Sequence, residues 1–429
     1  MKVVITAGGR GTRISAVHSR IPKPMIPVLG KPVLEHQIEC LHKQGFTDIT
    51  VTVGYLSHTI QTYFGNGDKR SPATGKPFGV HLSYVAEEEP LGTAGALYWL
   101  RDKCKEDFLL LNGDIIFDID INRFYQFHRD KKGLATLFTH PNSHPYDSGI
   151  IVTDQESRVK RWLHSEDVRM YCPNRVNAGL HILSPEILSA FATLQKRDLD
   201  RDILQPLIAT GRLYAYDSPE YVKDMGTPER LSSVSSAVRT GIVGEKNLSN
   251  RQRAVFLDRD GIINKHVGFL TSIEDFALMD NVADAIRKIN DSGYLAIVVT
   301  NQPVIARGEL SPEGLQEIHH KMETLLGRQG AYIDALYYCP HHPRKGFAGE
   351  RPELKIHCDC RKPKPGMLRK AAQKFNIDLS RSWMIGDSES DIQAGLSAGC
   401  QVCFIGEEPP LNAKSFPTLY DCICTILDR

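Results

Sequence analysis

The sequence predicts an α/β chain of two Rossmann-like three-layer domains, each a mainly parallel sheet covered by helices on both faces. Three observations carry this. The 429 residues exceed the roughly 250 to 300 at which one hydrophobic core stops growing, so two domains is the default count. Short apolar segments alternate with helix-like stretches along the whole chain, the rhythm of a parallel sheet. Two of those segments run directly into loops of glycine or aspartate, where open parallel sheets bind ligands.

The expected strands are 2–7, 49–53 and 108–111 in the first half and 254–257, 295–300 and 383–385 in the second. Between them the alternation lapses at Ser232, through a serine-rich run and then Gly241, Gly244, Asn247, Ser249 and Asn250. This places a first domain at 1–240, a linker at 241–252 and a second domain at 253–429.

Composition bounds the function. Hydrophobic residues at 41% and charged residues at 24% match globular averages and leave little room for disorder. Basic and acidic side chains nearly cancel, 52 against 51, so no global field recruits nucleic acid or an anionic membrane, and phosphate binding must be local. No apolar run approaches the roughly 20 residues that cross a bilayer, and Met1-Lys2 leads straight into Val3-Val4-Ile5 without a signal pattern. A cytoplasmic protein is expected. Its ten cysteines then read as metal ligands or buried side chains rather than disulfides.

The first strand runs into Gly8-Gly9-Arg10-Gly11-Thr12-Arg13, followed by Pro22-Lys23-Pro24. Neither the Walker loop nor the dinucleotide fingerprint fits this spacing. Glycines let backbone N–H groups approach a phosphate chain. Arg13 and Lys23 add cations suited to a departing pyrophosphate. A lone Gly-x-Gly is an ordinary turn. Further along stand Glu88-Glu89-Pro90-Leu91-Gly92-Thr93-Ala94-Gly95, Leu111-Asn112-Gly113-Asp114, Asn177-Ala178-Gly179 and Asp224-Met225-Gly226-Thr227-Pro228. Taken together and in this order, these segments and the opening loop resemble the sugar-phosphate nucleotidyltransferases over about the first 240 residues.

The resemblance implies that Gly8, Gly9, Gly11 and Thr12 hold the triphosphate, that Gly92 and Thr93 meet base and ribose, that Asn177 and Gly179 line the sugar pocket, and that Asn112 is a further substrate-binding position. Arg13 and Lys23 are the candidate catalytic cations. One polyanion attacks another here, so a Mg²⁺ ion is required, and Asp114 and Asp224 are its candidate ligands. The family's Glu-Lys-Pro, whose lysine binds the sugar phosphate, is replaced by His164-Ser165-Glu166. Lys160, Arg161, Arg175 and Lys223 are the cations left to take its place.

In the second half, Ala254-Val255-Phe256-Leu257 ends in Asp258-Arg259-Asp260-Gly261. Later come Thr300-Asn301-Gln302, Arg361-Lys362-Pro363 and Gly386-Asp387-Ser388-Glu389-Ser390-Asp391. That series, in that order, resembles the haloacid-dehalogenase phosphatases over about 180 residues. It implies Asp258 as nucleophile and Asp260 as general acid and base. Mg²⁺ would sit among Asp258, the carbonyl of Asp260, and Asp387. Thr300 and Lys362 would hold the phosphoryl oxygens, with Asn301 and Arg361 as further substrate-binding positions. Asp391 reads as a helix cap or an orienting group.

Cys339-Pro340-His341 and Cys358-Asp359-Cys360 flank a polar, Pro/Gly-rich loop with too few apolar residues to fold alone. A tetrahedral Zn²⁺ held by Cys339, His341, Cys358 and Cys360 would pin it. Four protein ligands leave no open position, so the site is structural. Cys400 and Cys403, three apart in a strand-like stretch, face opposite sides and form no site.

These phosphatase motifs are similar to two groups, the heptose 1,7-bisphosphate 7-phosphatases and the histidinol-phosphatases. Only the first releases a sugar 1-phosphate that the other half can use. The implied partners are therefore small molecules: a sugar bisphosphate, a sugar 1-phosphate and GTP, with ATP and other nucleoside triphosphates left open. A hexose-specific transferase fused to another phosphatase, a regulatory nucleotide-binding protein and a purely structural zinc module are the competing readings. Homo-oligomerisation is left open.

Overall fold

The computed structural model describes residues 1–9 and 21–427. The chain divides into two compact units: Met1–Thr139, Ile151–Trp162 and Asn177–Asn247 form the first; His140–Ile150, Leu163–Val176 and Leu248–Arg429 form the second.

In the first unit, alternation within the apolar strand Lys2–Ala7 decides the layers. Successive side chains point to opposite faces. Val3 and Ile5 join Leu34, Ile38, Leu41 and Phe64 in one core, while Val4 joins Leu97, Leu100 and Trp162 in another. A strand buried on both faces must be apolar throughout, which is how this segment reads. The nine-stranded sheet runs Val159–Leu163, Ile150–Thr153, Val176–Leu183, Phe108–Asn112, Lys2–Ala7, Asp48–Val53, His81–Ala86, and Ala135–His140 and Leu213–Asp217 complete it. Lys2–Ala7 is parallel to both neighbours, and Val176–Leu183 runs antiparallel to Phe108–Asn112, so the sheet is mixed but mainly parallel. A separate ribbon pairs Ile115–Asp118 with Tyr221–Asp224, antiparallel, with Asp224 opposite Ile115.

The serine-rich stretch where sequence periodicity lapses is helical, Pro228–Thr240. Thr227 caps it through the N–H of Arg230, Pro228 opens it, and left-handed Gly241 closes it. Good caps and the single buried Val234, flanked by half-buried Leu231 and Val238, outweigh the poor helix propensity of serine.

The second unit has a six-stranded sheet, ordered Ala335–Cys339, Tyr294–Asn301, Arg253–Leu257, Trp383–Gly386, Gln401–Ile405, Lys414–Phe416, parallel throughout. Val255 and Leu257 pack beneath helices Val282–Asn290, Pro312–Gly327 and Leu419–Leu427. Ala254 and Phe256 face helices Gly366–Phe375 and Glu389–Ala398. Cys400 and Cys403 lie in these two opposite cores. Because the first strand is central, the loops after it and after both neighbours open at one edge, which brings Asp258, Thr300, Asn301 and Asp387 together. Among the described residues no helix is long and apolar enough to cross a membrane.

Candidate active sites

The first site lies at the carboxyl ends of Lys2–Ala7 and Phe108–Asn112. Gly8 and Gly9 follow the first of these strands. The carboxylate of Glu87 lies over Gly8, so close that a Cβ there would be 3.0 Å from Oε2; burial pushes the Glu87 pKa up. Gly11, Thr12 and Arg13 fall outside the described residues.

Asp114 sits in the tight link between Phe108–Asn112 and Ile115–Asp118. Gln37, fully buried on helix Val33–Lys43, clamps that link by donating to the carbonyls of Asn112 and Ile115, each at 2.8 Å. Lys23, in the turn after Pro22, places Nζ 2.9 Å from Oδ2 of Asp114. The Met225 N–H donates to the Asp114 carbonyl at 3.2 Å, so Asp224 and Asp114 occupy adjoining strand ends. Their carboxylates are held separately: Arg230 Nη1 donates to both oxygens of Asp224, at 2.8 and 2.9 Å.

The sugar-pocket candidates interlock. Gly179 has φ +75°, and a Cβ on it would stand 2.5 Å from Nδ2 of Asn112, so glycine alone admits that side chain. Oδ1 of Asn177 accepts from buried His181 Nε2 at 3.1 Å; burial drives the His181 pKa down to about 3, fixing a neutral ring. Gly92 bridges to Arg197, and the Thr93 hydroxyl accepts the N–H of Leu199 at 2.7 Å while donating to Asp198. Of the cations offered for the missing lysine, Lys160 and Arg161 are exposed and Lys223 donates to Ser233 at 2.8 Å. Arg175 belongs to the second unit, where it pairs with Glu323 at 3.3 Å.

The second site is an acidic cluster around one cation. Ligand oxygens of Asp258, Asp387 and Asp391 lie within 4.8 Å of one another, a group able to hold a metal ion. Lys362 Nζ forms ion pairs with Asp258 at 2.8 Å and Asp391 at 2.5 Å. Burial opposes the lysine's charge, but Asp258 and Asp391 outweigh it and raise its pKa. Burial pushes Asp258 up, with Lys362 pulling the other way. Asn301 grips Lys362 by its backbone, accepting the N–H at 3.0 Å and donating to the carbonyl at 3.1 Å. Gly261 has φ +83° and lies against Asp387, which any Cβ would strike. Asp391 caps helix Glu389–Ala398 through Ser388 and also pairs with Lys362, so both roles read from its position are present. Thr300, Arg361, His266, Phe269 and Ser388 line the same cavity.

Asp260 is loaded with donors. Arg259 Nη2 reaches its two oxygens at 2.8 and 2.9 Å, Asn264 donates at 3.0 Å and Gln302 at 2.8 Å. Burial would raise its pKa, but Arg259 and the other donors outweigh burial and lower it.

A third cluster lies beside the second site. Sulfur atoms of Cys339, Cys358 and Cys360 and Nδ1 of His341 are 3.2 to 3.6 Å apart in five of their pairings. A tetrahedral ion with bonds of about 2.3 Å to sulfur sets its ligands about 3.8 Å apart, so this donor set fits zinc chemistry. His342 turns away to the carbonyl of Arg344.

The nucleotidyl transferase family model matches residues 2–241, and the HAD-hydrolase-like model matches 359–409. The chain belongs to the nucleotidyl transferase family, fused to a HAD-like phosphatase. It is 42% identical to a D-glycero-alpha-D-manno-heptose-1,7-bisphosphate 7-phosphatase of Photorhabdus laumondii over 36% of this chain and 83% of the relative. It is 31% identical to mannose-1-phosphate guanyltransferase beta-A of Xenopus laevis over 53% of this chain and 62% of that protein. HddC from Yersinia pseudotuberculosis complexed with GMP-PN superposes with TM-score 0.46 and 27% identity, over 55% of this chain and 99% of HddC.

In the transferase half the structure joins Lys23 to Asp114 and Asn112 to Gly179. In the phosphatase half it joins Asp258, Lys362, Asp387 and Asp391, and separately Cys339, His341, Cys358 and Cys360. Sequence reasoning did not single out Gln37, Glu87, Arg259 or Gln302, whose side chains touch the candidate site residues or the backbone beside them. None belongs to a periodic or spaced pattern of its own; the only hint was that Arg259 and Gln302 lie inside the strand-end motifs.

Proposed function

We propose that the phosphatase half removes the 7-phosphate of heptose 1,7-bisphosphate and that the transferase half joins the resulting heptose 1-phosphate to GMP from GTP, giving GDP-heptose and pyrophosphate. The carrying observation is the Asp258–Lys362 cluster on a chain that is 42% identical over 156 residues to a heptose-bisphosphate 7-phosphatase and also carries a nucleotidyl transferase domain. One half releases the class of substrate that the other consumes. The guanine assignment is supported by the likeness to a mannose-1-phosphate guanyltransferase.

In the phosphatase half, an oxygen of Asp258 attacks phosphorus and the bond to the sugar oxygen breaks. Asp260 gives that oxygen a proton. Asp260 then takes a proton from the water that cleaves the aspartyl phosphate, releasing inorganic phosphate and regenerating Asp258. Lys362 neutralises the phosphoryl oxygens as charge builds on them, and the Thr300 hydroxyl donates a hydrogen bond to them. Asp258, Asp387 and the Asp260 carbonyl would hold a Mg²⁺ ion, with Asp391 adjoining, and that ion supplies charge neutralisation.

In the transferase half, the sugar phosphate oxygen attacks the α-phosphorus of the triphosphate and pyrophosphate leaves. Lys23 and Arg13 stabilise the charge developing there, and Gly8, Gly9, Gly11 and Thr12 cradle the phosphates. Asp114 and Asp224 are the carboxylates available to a second Mg²⁺. Cys339, His341, Cys358 and Cys360 would hold a structural Zn²⁺. Dependence on a cytosolic nucleoside triphosphate supports a cytoplasmic location.

The test incubates the full chain with heptose 1,7-bisphosphate, Mg²⁺ and either GTP or ATP, and identifies the nucleotide sugar by mass spectrometry. GDP-heptose from wild type, and none from Asp258→Asn unless heptose 1-phosphate is added, is expected. GTP bound without pyrophosphate release would overturn the transferase reading.

A further inference from the structure

Arg259 is the largest side chain among those fully buried in the described residues. Removing a guanidinium from water is costly, and an apolar residue of like volume would fill the space more cheaply. Its contacts are therefore informative. Nη2 donates to both oxygens of Asp260, and Nε adds a contact to Oδ1 at 3.2 Å. On the far side Nη1 meets Nε2 of His319 at 3.2 Å. Guanidinium can only donate, so His319 must accept there, neutral and with its proton on Nδ1. His319 itself is buried on helix Pro312–Gly327.

The remaining donors to Asp260 are anchored too. Gln302 also donates to Thr300 Oγ1 at 2.9 Å, and its N–H is bound by the Cys339 carbonyl at 2.8 Å. Asn264 also donates to the Lys265 carbonyl at 3.0 Å. Asp260 is thus fixed from three sides, and among the described residues only Arg259 reaches both its oxygens.

We propose that Arg259, seated on His319, is a positioning residue that aims Asp260 at the leaving oxygen in phosphoryl transfer. The inference rests on the reading of Asp260 as general acid. A proton donor works only within hydrogen-bond reach of the atom it protonates, so a carboxylate free to rotate loses rate where protonation is needed and nowhere else.

The discriminating experiment compares kcat/KM on two substrates, heptose 1,7-bisphosphate and p-nitrophenyl phosphate. The first has an alkoxide leaving group that needs a proton; nitrophenolate leaves without one. Asp260→Asn should lose about 10²-fold or more on the sugar and less than about 10-fold on the aryl ester. Arg259→Lys should reproduce that split. His319→Phe, which leaves Arg259 in place without its seat, should give a smaller split of the same sign and serves if the arginine variant does not fold. Equal losses on both substrates, or none, in Arg259→Lys and His319→Phe while Asp260→Asn shows the split would overturn the positioning role. No split in Asp260→Asn would instead remove the reading of Asp260 as acid.

Discussion

Lys362 Nζ stands 2.8 Å from Oδ1 of Asp258, with the lysine side chain 1% exposed. Three carboxylates so close together would repel strongly at low dielectric, and this ammonium offsets that repulsion. Lys362→Met should therefore lower phosphate release about 10²- to 10³-fold, as removal of an oxyanion donor does. Pyrophosphate release from GTP and added heptose 1-phosphate should be unchanged. A variant that keeps more than a tenth of wild-type phosphatase activity would contradict the role given to this lysine.

In the transferase half, Gly179 leaves room for Asn112. Gly179→Ala adds a Cβ at positive φ and pushes Asn112 aside, with an expected loss of about 1 to 3 kcal/mol. Thermal unfolding checks the stability, and a raised KM for the sugar 1-phosphate checks the pocket. An unchanged melting temperature and KM would remove both residues from the sugar site.

The Cys/His cluster predicts a metal-dependent loop. Cys358→Ser should lower bound zinc, measured by elemental analysis, and expose residues 341–358 to limited proteolysis, because metal binding substitutes there for an apolar core. Since Arg361 and Lys362 directly follow Cys360, phosphatase activity should fall with it while transferase activity remains. Full zinc content in the variant would exclude Cys358 as a ligand.

His181 gives a pH signature. Its folded pKa is depressed by burial to about 3 from 6.5, so the unfolded chain binds the extra proton between those values. Its contribution to stability is complete above pH 6.5 and is lost as pH falls below it. At pH 5 the loss is about 2 kcal/mol for this residue. Urea unfolding at pH 7 and pH 5 should show that difference narrowed in His181→Gln, whose amide can still donate to Asn177. An identical difference in both proteins would show that His181 is not held neutral.

The gathering of candidate residues at strand ends was legible without coordinates, because the motifs end apolar strands and a parallel sheet gathers strand ends at one edge. That rule places Asp258, Thr300 and Asp387 at one sheet edge, while the roles given to them come from the family resemblance. The opposite facing of Cys400 and Cys403 follows instead from the two-residue period of a strand. The serine-rich run at 232–236 did not follow: its helix comes from caps and packing on Val234 that composition conceals.

The sequence by itself determined two α/β units, the order of their strand-end motifs and the four Cys/His positions, since periodicity and spacing are local properties of the chain. Tertiary structure alone decided that Gln37 clamps the Asp114 link, that Asp391 both caps a helix and pairs with Lys362, and that Arg259 bridges Asp260 to His319. Those contacts join residues from different elements, and what selects them is the need to partner polar groups removed from water, a demand that arises only once the chain has packed.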